Sequence, residues 1–160
     1  MSEIRDHNAY MKEKIDAVLR LTIDLFKGKN NRVAQTKDGV AWTHTVFARD
    51  QNGKEISYMD YDACQFCVSG AIILTMNTHQ ETWVPRMDYH ELFRSTEERI
   101  LRAVERHTPE KYDAIGKDPQ LRQLAHWNDK VCQSKDEAIM MLTFALEEKM
   151  PRSKRRQDED

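Results

Sequence analysis

No apolar run among the 160 residues approaches the length of a transmembrane helix. The first ten residues, MSEIRDHNAY, carry no apolar core of signal-peptide type, so the chain is expected to stay in the cytoplasm, where it is made. Only three cysteines are present, an odd count in a chain too long for a small secreted scaffold. A disulfide framework is therefore not expected, and reduced thiols are. An excess of one charge is also missing: 25 basic and 27 acidic residues leave a net charge of -2. No global field draws the chain to nucleic acid or to an anionic membrane, and such binding would need a local patch. There is no glycine-rich nucleotide loop, no metalloprotease helix and no internal repeat.

What is present suits one folded domain over residues 1–150, with 39% hydrophobic and 32% charged residues, followed by a charged flexible tail, PRSKRRQDED, at 151–160. Met11, Ile15, Val18, Thr22 and Leu25 recur at steps of three and four, with Leu19 and Phe26 beside them, which predicts a helix from Asn8 to Lys27 with Gly28 at its C′ position. Val40 to Phe47 has strand composition and runs through Ala48-Arg49-Asp50 into the turn Asn52-Gly53, so a hairpin with Lys54 to Met59 is expected. Asp60 or Asp62 could cap a buried helix running through Cys64 and Cys67 to about Met76.

Asp88 with Glu91 marks the start of a helix reaching about His107, with Tyr89, Phe93, Ile100 and Val104 inward. Arg99, Arg102 and Arg106 read as a stripe on its solvated face. Asp118-Pro119 suggests a short helix ending near His126-Trp127. Ser134 to Glu137 is a capping box before a helix that is apolar around most of its circumference and ends at Pro151. The fold class expected is α+β and mainly helical, with about five helices and one small β-hairpin.

The segment ACQFCVSGAI decides the chemistry. Cys64 and Cys67 have zinc-knuckle spacing, and His126 with Cys132 could complete a Cys₃His set, but a knuckle belongs on a turn and the second pair is not compact. A redox pair should follow a buried strand, whereas an Asp- and Tyr-rich stretch precedes this one. As a nucleophile, Cys67 would need His126 as base and Asp129 to orient it. The plainest reading is that both cysteines are small core residues. Arg49 and Asp50 read as turn residues, and Asn128 and Asp129 as caps, although Arg49, Asp50, Cys67, His126 and Asp129 would make a functional cluster if they met. Trp83, in the loop THQETWVPRM beside Pro85 and Arg86, has the composition of an interface anchor.

Trp42 with Ala48-Arg49-Asp50 and Gly53, then Cys67-Val68-Ser69-Gly70-Ala71, then Trp127-Asn128-Asp129 resemble the pattern of an uncharacterised family of small bacterial and phage proteins, over roughly residues 40 to 148. The resemblance implies no activity. It places a cysteine at position 67 and not at 64, which argues against a shared Cys64–Cys67 metal or redox site. The functional expectation is a small cytoplasmic accessory or regulatory protein, phage-encoded if the resemblance holds, that binds a protein partner through Arg49, Asp50, Trp83 and Asn128. No cofactor, metal, membrane or nucleic acid is expected. The alternative is a cysteine-dependent hydrolase or transferase built on Cys67, His126 and Asp129.

Overall fold

The computed structural model describes residues 2–29, 39–79, 88–116, 118, 120 and 122–148, with side chains from residue 7 onward. Trp83, residues 149 and 150, and the tail at 151–160 lie outside the described residues. Helix α1 spans Ser2–Lys27, six residues earlier than the periodicity of its apolar stripe suggests. That stripe is where it was expected: Met11, Ile15, Val18, Leu19, Thr22, Leu25 and Phe26 are all buried. Its end is a Schellman motif, in which Lys29 N–H donates to Asp24 O at 2.8 Å and Gly28 N–H to Leu25 O at 3.4 Å. Gly28 takes the left-handed φ of 80° that this turn demands.

A small sheet follows, made of β1 (Ala41–Trp42), β2 (Ala48–Arg49) and β3 (Gln65–Phe66). The strands lie in the order β1-β3-β2, with β1 parallel and β2 antiparallel to β3. The expected hairpin is present in reduced form. Asp50 N–H bonds Lys54 O, Gly53 N–H closes back on Asp50 O, and Arg49 bridges Glu55. The sheet partner of both β1 and β2, however, is β3, which lies in the stretch read as helix. Helix α2 therefore begins at Val68 and runs to Thr78, with Cys67 as its N-cap.

Helix α3 (Tyr89–His107) starts at the expected cap, where Glu91 N–H donates to Asp88 Oδ1 at 3.1 Å. Its buried face includes Leu92, Thr96, Ile100 and Val104, whereas Tyr89 and Phe93 are only half-buried. One charge is placed differently from the sequence expectation. Arg99 is 1% exposed, with Nη2 on Asp16 Oδ1 at 2.7 Å and on Glu148 O at 3.1 Å. Helical phase alone puts Arg99 beside the other arginines; the arrival of α1 and the end of the last helix over that face removes it from water.

A sixth helix, α4 (Pro109–Ile115), opens directly after α3 with Pro109 at its first position, and the sequence expectation had no helix there. Proline at N1 costs nothing in hydrogen bonding and presets φ for the helix. The short helix α5 spans Leu124–Lys130 rather than starting at Asp118, whose Oδ1 instead accepts from Gln120 N–H in a local turn. Trp127-Asn128-Asp129 thus lies on α5 and not after it. Helix α6 (Lys135–Glu147) carries the predicted cap, with Glu137 N–H donating to Ser134 Oγ and Glu137 Oε2 accepting from Gln133 N–H. Helix α6 packs against α1 and α3, α2 against α1, and one continuous apolar core joins the described elements. The protein is thus α+β and mainly helical, with six helices and a three-stranded sheet among the described residues.

Candidate functional site

Three segments far apart in sequence converge on one side chain. Asn128 is fully buried on α5. Its Oδ1 accepts from Trp42 Nε1 at 2.8 Å and from the amide of Val68 at 3.0 Å. Its Nδ2 donates to Thr43 O at 3.1 Å and to Asp129 Oδ1 at 3.0 Å. A carboxamide has two acceptor lone pairs and two donors, and here all four are used. The Val68 bond also satisfies one of the amides left orphaned at the start of α2. One residue therefore fastens β1, the loop after it and the N-terminus of α2 to α5.

Asp129, on the exposed side of the same helix, accepts from Thr45 N–H at 2.7 Å. Thr45 has φ of 76°, the one non-glycine residue with positive φ among the described residues. A β-branched residue in that region carries strain of roughly 1–3 kcal/mol and persists only where its surroundings hold it. Arg49 closes the loop from the other side. Its Nε donates to Thr43 Oγ1 at 2.9 Å, Nη1 to Gly53 O at 2.9 Å and Nη2 to His44 O at 3.3 Å. Asp50 Oδ1 accepts from the amides of Asn52 and Lys54, which shapes the turn. Asp50 shapes the turn as expected, whereas Asn128 and Asp129, expected to cap or turn the chain locally, lie within α5 and bond across the fold; with Arg49 they hold the loop Thr43–Phe47.

Cys67 belongs to this network as a cap. Its Sγ accepts from Gly70 N–H at 3.2 Å and its amide donates to Phe47 O at 3.2 Å. Helix α2 starts later than the sequence suggests, so Cys67 stands at a helix N-terminus after all, a position that ordinarily favours thiolate. Burial nevertheless pushes its pKa up to about 11, with the charge of Asp129 adding to the rise and the Gly70 amide opposing it. Desolvation wins because the thiol is 6% exposed. His126 is half-buried, and its Nδ1 has no hydrogen-bond partner among the described residues. No hydrogen bond joins it to Cys67, and Asp129 is engaged with Thr45 and Asn128.

The ligand set Cys64, Cys67, His126 and Cys132 is not assembled either. Among the described residues no three His, Cys, Asp or Glu side chains converge to hold a metal ion. All three cysteines are free thiols. Cys132 is buried, donates weakly to Ser134 O and is pushed up to about 12 by burial. Cys64 is partly exposed, and burial with the charges of Asp50 and Asp62 raises its pKa as well.

Two outcomes are expected. In the native protein a thiol reagent near neutral pH should label Cys64 first and slowly, while Cys67 and Cys132 react only on unfolding; peptide mass mapping reads the order. Fast labelling of Cys67 would contradict the burial described here. Burial pushes these two thiols from about 9 up to about 11 and about 12, so they leave stability independent of pH below about 9 and erode it as pH rises from there to their folded values. Urea denaturation at pH 8 and pH 10 measures this.

The sequence reading missed the surface that this network supports. Phe47, at 49% exposure, meets Tyr58 edge-on at 6.3 Å, and Met59 and Tyr61 follow at 58% and 85%. A shallow depression is lined by Phe47, Glu55, Ile56, Ser57 and Tyr58. The run MDYD, with apolar and acidic residues alternating between the hairpin and β3, was the available signal.

No helix among the described residues is long and apolar enough to cross a membrane. No curated protein and no solved structure was found to match the chain. A family of unknown function, DUF6197, matches residues 32–148, which takes in every element from β1 to α6 and leaves out α1. This is an uncharacterised family, as the resemblance implied, and the chain belongs to it.

Proposed function

We propose that this protein works by binding a protein partner, as an accessory or regulatory factor of the cytoplasm, through the surface carried by the loop Thr43–Phe47 and the turn that follows it. The observation that carries this reading is the strained, immobilised loop, which ends in a half-exposed phenylalanine set edge-on to Tyr58, with Met59 and Tyr61 exposed just further along the chain. A preorganised aromatic surface binds with little ordering cost, and Tyr, Phe and Met are enriched at interface centres. Three free cysteines support a reducing compartment. The phage origin implied by the resemblance is part of the same reading. Catalysis at Cys67 has less support, since the thiol is buried and its Sγ caps a helix.

A photoreactive phenylalanine analogue at position 61, in cells that make the chain naturally, should yield a covalent adduct with one defined protein. The same analogue at position 140, where Met140 is 42% exposed on α6, should yield none. Adducts from both positions alike, or from neither, would overturn the reading.

Thr45→Gly separates the loop's strain from its stability. Glycine relieves the strain but adds unfolded-state entropy, so the variant should stay within about 1 kcal/mol of the parent in urea denaturation. A larger loss would mean that the threonine side chain itself supports the fold.

A further inference from the structure

We infer that the face formed by Phe47, Ile56, Tyr58, Met59 and Tyr61 docks a cationic segment of another protein, one in which arginine or lysine side chains interleave with apolar ones. The inference rests on the protein-binding reading and adds the partner's chemistry. Three of the five large hydrophobic residues that are exposed among the described residues, Phe47, Met59 and Tyr61, fall within fifteen positions of one another. A shallow depression walled by the Phe47–Tyr58 edge-to-face pair lies beside Glu55 and Ile56.

The depression itself holds Glu55, and the stretch of chain that carries these residues is charged almost wholly with one sign. Asp50, Glu55, Asp60 and Asp62 stand against Lys54 alone, and from Glu55 to Pro85 the sequence contains no lysine or arginine. Arg49, the nearest preceding cation, directs Nε and both terminal nitrogens to Thr43, Gly53 and His44. The net charge of -2 for the whole chain conceals this acidic band. Nucleic acid and anionic lipid are repelled by such a surface, whereas a cationic chain is steered to it.

Aromatic faces and carboxylates together suit arginine and lysine. The cation can lie over a tyrosine ring while its charge meets a carboxylate, and its methylene stem covers apolar surface. The support beneath is rigid. Phe47 O accepts from Cys67 N–H, and Gly70 packs directly on the Phe47 backbone, with an added Cβ lying 2.3 Å from Phe47 O. Phe47 is thus held where a partner would meet it.

The test is selection of random dodecapeptides on the immobilised full-length protein, followed by affinity measurements on the enriched peptides by fluorescence anisotropy. Enriched sequences are expected to carry at least two Arg or Lys with an aromatic or aliphatic residue between them. Phe47→Ala and Tyr61→Ala should each weaken binding about tenfold. Asp60→Asn with Asp62→Asn should weaken it several-fold and flatten its salt dependence, and Met140→Ala should change nothing. Tyr61 is 85% exposed, so its variant keeps the test valid should Phe47→Ala fold poorly.

Neutral or acidic consensus sequences, peptides indifferent to both aromatic variants, or no enrichment would overturn the inference. So would tighter binding after removal of residues 152–156, which would make the chain's own basic segment the occupant, or Phe47-dependent self-association, which would make it a second copy. A crosslinked partner at position 61 alongside a non-cationic consensus would leave protein binding standing and remove only the partner chemistry assigned here.

Discussion

Asn128→Ala is expected to cost about 3–5 kcal/mol, a large share of a single domain's stability. The substitution strands the Val68 amide, the Trp42 indole N–H and the Thr43 carbonyl together, because all three take their hydrogen bond from this one carboxamide. Each buried polar group left without a partner costs roughly 1–3 kcal/mol, and a bridging water can recover part of it. Asn128→Asp is the informative companion: it keeps the acceptor for Val68 and Trp42 but loses both donors and sets a second carboxylate against Asp129. Trp42→Phe, which removes one donor, should cost nearer 1 kcal/mol. Urea denaturation of the three variants, and of the Trp42–Asn128 double variant, gives the coupling directly. A loss below about 1 kcal/mol for Asn128→Ala would show that the network is not what joins the segments.

Gly70→Ala should destabilise by roughly 1–3 kcal/mol or more, the cost of forcing an extra methyl into a filled site. In an exposed helix the same change would stabilise by about 1 kcal/mol, since alanine is the better helix former. The sign reverses here because the new Cβ would lie 2.3 Å from Phe47 O and 3.0 Å from Phe47 C. Both are backbone atoms, which cannot rotate aside as a flexible side chain could. The loop must move, and with it the Cys67 N–H bond to Phe47 O. The expected signature is lower stability together with altered near-ultraviolet signals from Trp42 and Phe47. A variant as stable as the parent would mean that the loop does not rest on α2 in solution.

Legibility in the sequence followed the range of the interactions. The stripe on α1, the Gly28 terminus, and the caps at Asp88 and Ser134 were readable because each is decided by residues within four or five positions of one another. The Asp50–Lys54 turn belongs with them. The start of α2 was not readable. Cys64, Cys67, Val68 and Ala71 share a helical face, yet Gln65–Phe66 pair with Ala41–Trp42 and Ala48–Arg49 instead. A two-residue strand leaves no periodicity of its own, and its partners lie sixteen or more positions away.

The candidate site divides in the same way. Arg49, Asp50, Cys67, Asn128 and Asp129 could be singled out as residues in short motifs, and the turn made by Asp50 was foreseeable from its neighbours. Their convergence was not, since Asn128 meets Trp42 across 86 positions and Val68 across 60. Nor could periodicity tell whether Cys67 faced water.

The sequence by itself determined the helical core, the local caps and turns, the reduced state expected of the thiols and the near-neutral charge, because each depends on composition or on neighbouring residues. Tertiary structure alone decided that Cys67 caps a helix with a buried, protonated thiol, that Arg99 is enclosed, and that the motif residues serve to hold one strained loop. Those are properties of burial and of contact between distant segments, and they come into being only when the chain closes on itself.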